Sequence, residues 1–466
     1  FQYPQGINLH KIFYTPEMRI GLRKKLVLLI ALMSYLLTAL DNSLVLTSLT
    51  RIQADLHLSQ ISLSWIQDAY GLAFGSFILL SGRLGDMYGR KLMMEIALAL
   101  FAVSSLVTAI STAAAMTIAS RFVQGMGAAI LAPTSLALLV DYFTEPMLSK
   151  AIAWYSSIAG LGMSIGLILG GILTSYLNWR VGFYLNAAVA LGLFILSVKT
   201  LEQKQAAQAD SRIDTLGSLA SVIGSGLLVY AVNGARQMAP FMIAALVILA
   251  GLFVIEKRVD NPVLPLKLIA NRGRLLADLS RAFLVAAAMG FYFFDSEFLQ
   301  EVLHYSPLLT GLAYLPMTIT LFVVAILVPR MVEKLDNQVV LLSGSGAIML
   351  AFVWAVFVNG NNYLTILLVP ELLLGVGQGL ALAPQTNLAI NGVKPQESGA
   401  ASGILNMFHQ LGGVLGIAVM VQMGIKLGNG QNFAGQFHLA MIAGLVIAVL
   451  LVLMSILIYF NHEGRK

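Results

Sequence analysis

Long apolar runs alternate with short polar stretches along nearly the whole 466-residue chain. A helix rising 1.5 Å per residue needs about 20 apolar residues to cross about 30 Å of hydrocarbon. By that criterion candidate spans cover residues 26–49, 61–80, 92–110, 114–140, 151–173, 181–198, 216–232, 240–255, 275–298, 312–328, 339–358, 364–390, 400–423 and 437–459. The pattern predicts an all-α membrane protein of fourteen spans. The seventh and eighth runs are the shortest, so twelve helices with an irregular apolar hairpin is the competing count.

Composition agrees with the pattern. Mean hydropathy is +0.84 and only 11% of residues are charged, against about a quarter in globular domains. The 42 glycines suit helix packing in lipid, where small residues let backbones approach in the absence of a hydrophobic drive. Cysteine is absent, which excludes disulfides, thiolate metal sites and a cysteine nucleophile.

Charge speaks to topology. The net charge of +6 is gathered in short loops, which reads as a positive-inside signal and not as nucleic-acid binding. With the N-terminus in the cytoplasm, that side holds twenty-two of the 28 Lys and Arg, and the other side only Arg51, Arg180, Arg236 and Lys426. A multi-pass protein of the cell (plasma) membrane with both termini cytoplasmic is expected. Residues 1–25 form a leading segment with Met18 as a candidate initiator, and they lack the short apolar region and small-residue cleavage site of a cleavable signal.

The chain also repeats itself. Pro329-Arg330-Met331-Val332-Glu333-Lys334 echoes Gly82-Arg83-Leu84-Gly85-Asp86-Met87 at the arginine, the large apolar residue and the acid. Leu131-Ala132-Pro133 in the fourth span recurs as Leu382-Ala383-Pro384 in the twelfth. The shared offset of eight spans implies two six-helix halves with two helices inserted between them. Chance similarity of apolar segments is the alternative for either match alone. The expected divisions are a bundle over 26–198, a linker with two extra spans over 199–274, a second bundle over 275–460 and a tail over 461–466.

Between the second and third runs, the charged decapeptide Gly82–Lys91 reads as a tight cytoplasmic loop. Its order, Gly-x-Leu-x-Asp-x-x-Gly-Arg-Lys, resembles the signature loop of the major facilitator superfamily. Further segments are Leu40-Asp41, Trp65 through Tyr70, Arg121 through Ala128 leading to Pro133, Gly162, Gly166, Gly170 and Gly171 with Trp179-Arg180, and Leu299 through Pro307 with Ser402 through Gly413. Taken in order they resemble the drug:proton antiporter family of fourteen-helix facilitators, the quaternary-ammonium and multidrug exporter type. The resemblance implies the major facilitator fold, a monomer in membrane lipid, rocker-switch alternating access and export of small amphipathic, cationic substrates. Its energy source would be protons moving down their gradient, with no cofactor. Proton-coupled transport of an endogenous metabolite or lipid is the alternative. The family's fifth-helix motif places proline where Leu167 stands, so the kink that proline would bring is missing. Gly162, Gly166 and Gly170, spaced by four, share one helix face suited to close packing. No Gly-x-x-x-x-Gly-Lys-Ser/Thr or His-Glu-x-x-His run is present, so neither an ATP motor nor a zinc protease is expected, and no enzyme.

A charge at the bilayer centre costs at least about 2.5–3.5 kcal/mol on insertion scales, so ionisable residues inside spans guide the mechanism. Asp41 stands about 22 Å from the inner end of its span, and Asp68 and Arg121 stand near the same depth at about 20 Å. A carboxylate that exchanges between water and an arginine can load and release protons, and a lipophilic cation can compete for it. A helix-locking Asp–Arg pair is the alternative for Asp41 and Arg121, and a polar helix end for Asp68. Asp295 and Glu297 are candidates for a cation or a second proton, with a solvated rim as the alternative. Glu95 and Glu371 rank lower, Asp278 and Arg281 read as inner-interface residues able to pair or to snorkel, and His304 and His409 suggest no metal site. Phe291, Tyr292, Phe293 and Phe294 read mostly as core. Within the decapeptide Gly82 and Gly89 permit the turn, while Asp86, Arg90 and Lys91 form a clamp expected to stabilise the outward-facing state.

Overall fold

The computed structural model describes residues 21–203, 214–233, 238–259, 262, 264–357, 362–394, 397–428 and 432–463. Met18, Arg236 and most of the leading segment lie outside the described residues. The first eight helices are α1 Leu22–Leu56, α2 Gln60–Tyr88, α3 Arg90–Ala109, α4 Ala114–Tyr142, α5 Met147–Tyr176, α6 Trp179–Thr200, α7 Thr215–Val232 and α8 Met238–Glu256. The short α9 Leu266–Ile269 precedes α10 Arg272–Glu297, which runs into a π turn over Phe298–Val302. Then follow α11 Pro307–Ala313, α12 Leu315–Phe357, α13 Tyr363–Ile366, α14 Leu368–Ile390, α15 Ser398–Leu427 and α16 Phe433–Glu463.

Twelve of the described helical segments are long and apolar enough to cross a membrane. Side-chain oxygens of Ser59, Asn178, Asp214 and Asn271 cap the first turns of α2, α6, α7 and α10, satisfying backbone donors that have no intrahelical partner. The decapeptide expected as a loop departs from the prediction. Helix α2 continues to Tyr88 and α3 begins at Arg90, so the turn is made by Gly89 alone, at φ 90°. Charged side chains can reach water from a helix end while the backbone stays paired within the helix. A similar shift occurs in α12, which is helical through the predicted loop after residue 328 except at Asp336, where φ 62° and ψ 155° break it in two.

Helices α1–α6 form one bundle, in which α5 packs on α1 and α4 on both α2 and α3. In the second bundle α15 packs on α10, and α14 on α12. The pair α7 and α8 lies outside both, with α7 against α2 and α15. Helix α8 turns Ile243, Leu246, Val247 and Val254 outward, as a lipid-facing helix would.

The two bundles share one packing device. A Cβ on Gly162 would lie 2.7 Å from Ala39 Cβ, and one on Gly170 would lie 2.9 Å from Leu44 Cα, so α5 can approach α1 only without side chains there. Gly412, with a Cβ position 2.6 Å from Ala282 Cα, and Gly416 repeat this between α15 and α10. The repetition seen in sequence thus extends to helix contacts that sequence matching did not reveal.

At the end remote from Gly89 the bundles are fastened together. Ser296 Oγ donates to the Leu46 carbonyl at 2.6 Å, Thr50 Oγ1 to Gln300 Oε1 at 2.5 Å, and the Leu308 amide to Ser175 Oγ at 2.9 Å. Gln60 Nε2 donates to Glu297. Gly171 and Gly311 meet backbone atoms of α11 and α5, and an apolar cluster joins Leu49, Ile52 and Leu167 to Phe294 and Phe298. Because the chain has no native cysteine, a Thr50→Cys/Gln300→Cys pair offers a clean test. A short bifunctional thiol reagent should link the pair, shifting its mobility on a gel. Absence of linking in protein whose thiols both react singly would contradict this closed end.

Candidate functional site

A cavity of about 1740 Å³ lies between the bundles, lined by α1, α2, α4 and α5 on one side and α10, α12, α14 and α15 on the other. It opens at the Gly89 end, where Gly82, Asp86, Arg90 and Asp141 form part of its rim, and stops short of the fastened end at Leu46 and Tyr292. Polar groups project from both sides, among them Asn42, Gln67, Gln378, Arg281 and His409. Ala132 and Pro133 of α4 and Leu382 of α14 face it too, so both copies of the Leu-Ala-Pro repeat line the same space. Of the aromatic run in α10 only Tyr292 reaches the cavity. Phe291 instead packs edge-on against Phe352, and Phe294 stacks on Phe433.

Asp41 and Arg121 meet, as their common depth suggested. Both are fully buried, with Arg121 Nη1 2.5 Å from Asp41 Oδ2. Gln124 Nε2 and Asn186 Nδ2 donate to Asp41 Oδ1 at 2.8 and 2.7 Å. Arg121 also donates to the Ile66 carbonyl and lies 4.5 Å from the centre of the Tyr70 ring. The ion pair therefore ties α1, α2, α4 and α6 together behind the cavity wall, to which Thr38 and Asn42 contribute from α1.

Asp68 shares that depth but faces elsewhere. Its Oδ2 accepts from Asn233 Nδ2 at 2.8 Å, and Asn233 also bonds Ser64. The acid thus joins α2 to the end of α7, away from the cavity. Glu297 lies in the fastened end with Gln60.

Asp295 is fully buried beside Glu371, and the nearby Tyr314 hydroxyl donates to the Tyr292 carbonyl at 2.8 Å. Glu371 Oε2 accepts from Tyr363 Oη at 2.8 Å, while Glu371 Oε1 and both Asp295 oxygens find no donor in the described structure. Two facing acids with no cation between them are in the arrangement that a shared proton completes. No sequence signal links Glu371 to Asp295, because nothing in spacing shows that α14 faces α10.

Near Gly89 the guanidinium of Arg90 pairs with Asp86 one turn back. A Cβ at Gly85 would lie 2.5 Å from Arg90 Nη1, so the missing side chain makes room for this fold-back. Lys91 reaches the Val198 carbonyl at 3.2 Å, and Gly82 borders the cavity mouth. The lining acids, Asp86 and Asp141, both lie at that mouth. Arg83 and Arg90 line the same mouth, so acids and bases are mixed there.

A membrane carrier is the class that this architecture defines: two similar helical bundles around a cavity open at one end. The sequence profile described as Major Facilitator Superfamily matches residues 31–417, and the chain belongs to that superfamily as a membrane transporter, not an enzyme. It is 33% identical to the puromycin resistance protein of Streptomyces alboniger over 84% of this chain and 80% of that protein. Identity with the cephamycin export protein of Amycolatopsis lactamdurans is 30%, over 84% of each chain. A crystal structure of the nucleoside transporter NupG superposes with a TM-score of 0.67 at 14% identity, covering 93% of this chain and 100% of that one. That likeness concerns the fold alone.

Breaking a buried ion pair by neutralising one member leaves an uncompensated charge and typically costs about 3–5 kcal/mol. Asp41→Asn should lower unfolding stability in detergent by about that amount, and adding Arg121→Gln should recover part of the loss. An Asp41→Asn variant as stable as the parent would contradict this account of the pair.

Proposed function

We propose that this protein is a proton-coupled antiporter that exports small amphipathic compounds from the cytoplasm by alternating access. The single observation that carries the reading is a cavity between two repeated bundles, open at one end and fastened at the other, with buried acids near its closed end. The relatives named as resistance and export proteins support the drug-efflux part. On this reading the protein sits in the plasma membrane with Gly89 and both termini cytoplasmic, which makes the described state inward-open.

We further propose fourteen spans. Helices α11 and α12 join in a 51-residue segment, about 76 Å long at 1.5 Å per residue and more than twice the hydrocarbon thickness. The break at Asp336 divides it into two crossings. The 30-residue α5 supplies one more, beyond the twelve segments already counted.

For coupling, Asp41 with Arg121 serves the first half and Asp295 with Glu371 the second. In the inward-open state Asp41 is held by Arg121, Gln124 and Asn186, so taking up a proton requires that this network open. A shift of α1 against α4 and α6 would do so, which links proton loading to bundle movement. The Asp86–Arg90 hinge acts as the cytoplasmic clamp, contacting the opposite bundle when that side closes.

Two measurements test these assignments. In liposomes with an imposed proton gradient, the parent should move an ethidium-like dye, while Asp41→Asn and Asp295→Asn should each abolish gradient-driven movement. Dye movement that ignores the gradient, or that both variants retain, would overturn proton coupling. Asp86→Asn should lower turnover several-fold with substrate affinity kept within a few-fold, and complete loss of binding would refute the clamp.

A further inference from the structure

The cavity holds a fixed positive charge at depth. Arg281 lines it, nine residues into α10 from Arg272 and thus about 14 Å along the helix. Asp86, a rim acid two residues from the end of α2, stands only about 3 Å from its own helix end by the same measure. Arg281 is 8% exposed. Its Nη2 donates to the Leu382 carbonyl at 2.6 Å and to Thr386 Oγ1 at 2.8 Å, which aims the guanidinium without neutralising it. Its Nε has no partner in the described structure.

Of the two alternatives for Asp278 and Arg281, pairing or snorkelling, the pairing does not form. No ion pair among the described residues joins them, and both Asp278 oxygens lack a donor. Arg274, one turn on the other side of Asp278, is spent on the carbonyls of Ala389, Leu268 and Asn391. One carboxylate thus stands beside two guanidinium groups, leaving an excess positive charge. His409, Asn406 and Gln410 of α15 line the same cavity and offer neutral polar contacts. A guanidinium does not lose its proton in a protein and presents a planar fork of donors that matches carboxylate and phosphate oxygens.

We propose that Arg281 is the recognition point for an anionic oxygen group, carboxylate or phosphate ester, carried by an amphipathic substrate in the cavity. This rests on the export reading, because it takes the cavity as the substrate path. The apolar body would lie along Leu284, Ala288 and Phe322, which line the cavity on α10 and α12.

The test uses the full chain in nanodiscs with dansyl-undecanoic acid and its methyl ester, which lacks the charge and adds one methyl group. The parent should bind the acid at least tenfold more tightly. Arg281→Gln should remove that preference by weakening the acid and sparing the ester, and Arg281→Lys should restore part of it. Equal binding of acid and ester by the parent, or an equal loss of both in Arg281→Gln, would overturn the assignment, the latter marking a purely structural role. The ester and Arg281→Lys keep the test decisive if Arg281→Gln folds poorly. Competition of the dansyl acid by dihexanoyl phosphatidylglycerol ahead of octanoate would place the anion on a lipid headgroup, and the reverse order on a carboxylate drug. Both uphold the site, whereas no competition by either overturns it. Gradient-driven movement of ethidium in liposomes separates the two levels. If ethidium moves and the acid is not preferred, only the Arg281 site fails. If no probe moves, the export reading fails.

Discussion

Charge inside hydrocarbon must find a partner within the protein or face a water-filled space, and the arrangement of this molecule follows from how each buried ionisable group meets that demand. Asp41 and Arg121 answer one another, with Gln124 and Asn186 completing the carboxylate's shell. Asp68 turns to Asn233. Asp295 and Glu371 have only each other and nearby tyrosines. Arg281 faces the cavity. Each solution needs a particular helix face to meet a particular neighbour, so the polar groups constrain helix rotation in a way that interchangeable apolar contacts do not.

The two halves repeat in backbone and diverge in chemistry. Glycines of α5 and α15 bring those helices onto α1 and α10 in the same manner, and the proline-bearing helices α4 and α14 line the same cavity. Yet the first half buries an acid against a base, and the second buries an acid against an acid. A repeated scaffold with unlike charge in its halves can respond to a proton in one half without the same response in the other. On the proposed antiport reading, that asymmetry would let the two halves respond differently to protonation.

Span positions were legible in the sequence because hydrocarbon imposes a length that hydropathy reports directly. The depth of Asp41 and Arg121 was legible as well, since counting residues along a helix gives height, and at equal height the two proved to be partners. Counting gives no azimuth. Asp68 stands at the same height and points to α7, and Glu371 meets Asp295 although no spacing rule links α14 to α10. The same limit hid Arg281, whose distance of three residues from Asp278 suggests pairing until α14 supplies its carbonyl and hydroxyl acceptors. Gly82–Lys91 misled in another way. Charge and glycine usually mark a loop, but here nearly all of the segment is helix, and Gly89 alone makes the turn.

The inserted helices divide polar and apolar contacts between the two bundles. Helix α7 is tied to α2 by hydrogen bonds, Asn233 to Asp68 and Ser64, and Ser76 to Ser225 at 2.8 Å. Its contact with α15 runs instead through the apolar group of Val229, Leu72 and Val414. Directional bonds fix one geometry, whereas apolar surfaces keep most of their contact while sliding. The pair α7 and α8 is therefore held to the first bundle by directional bonds and to the second by apolar contact. In that position it covers the seam between α2 and α15, which on the alternating-access reading would otherwise expose changing surface to lipid.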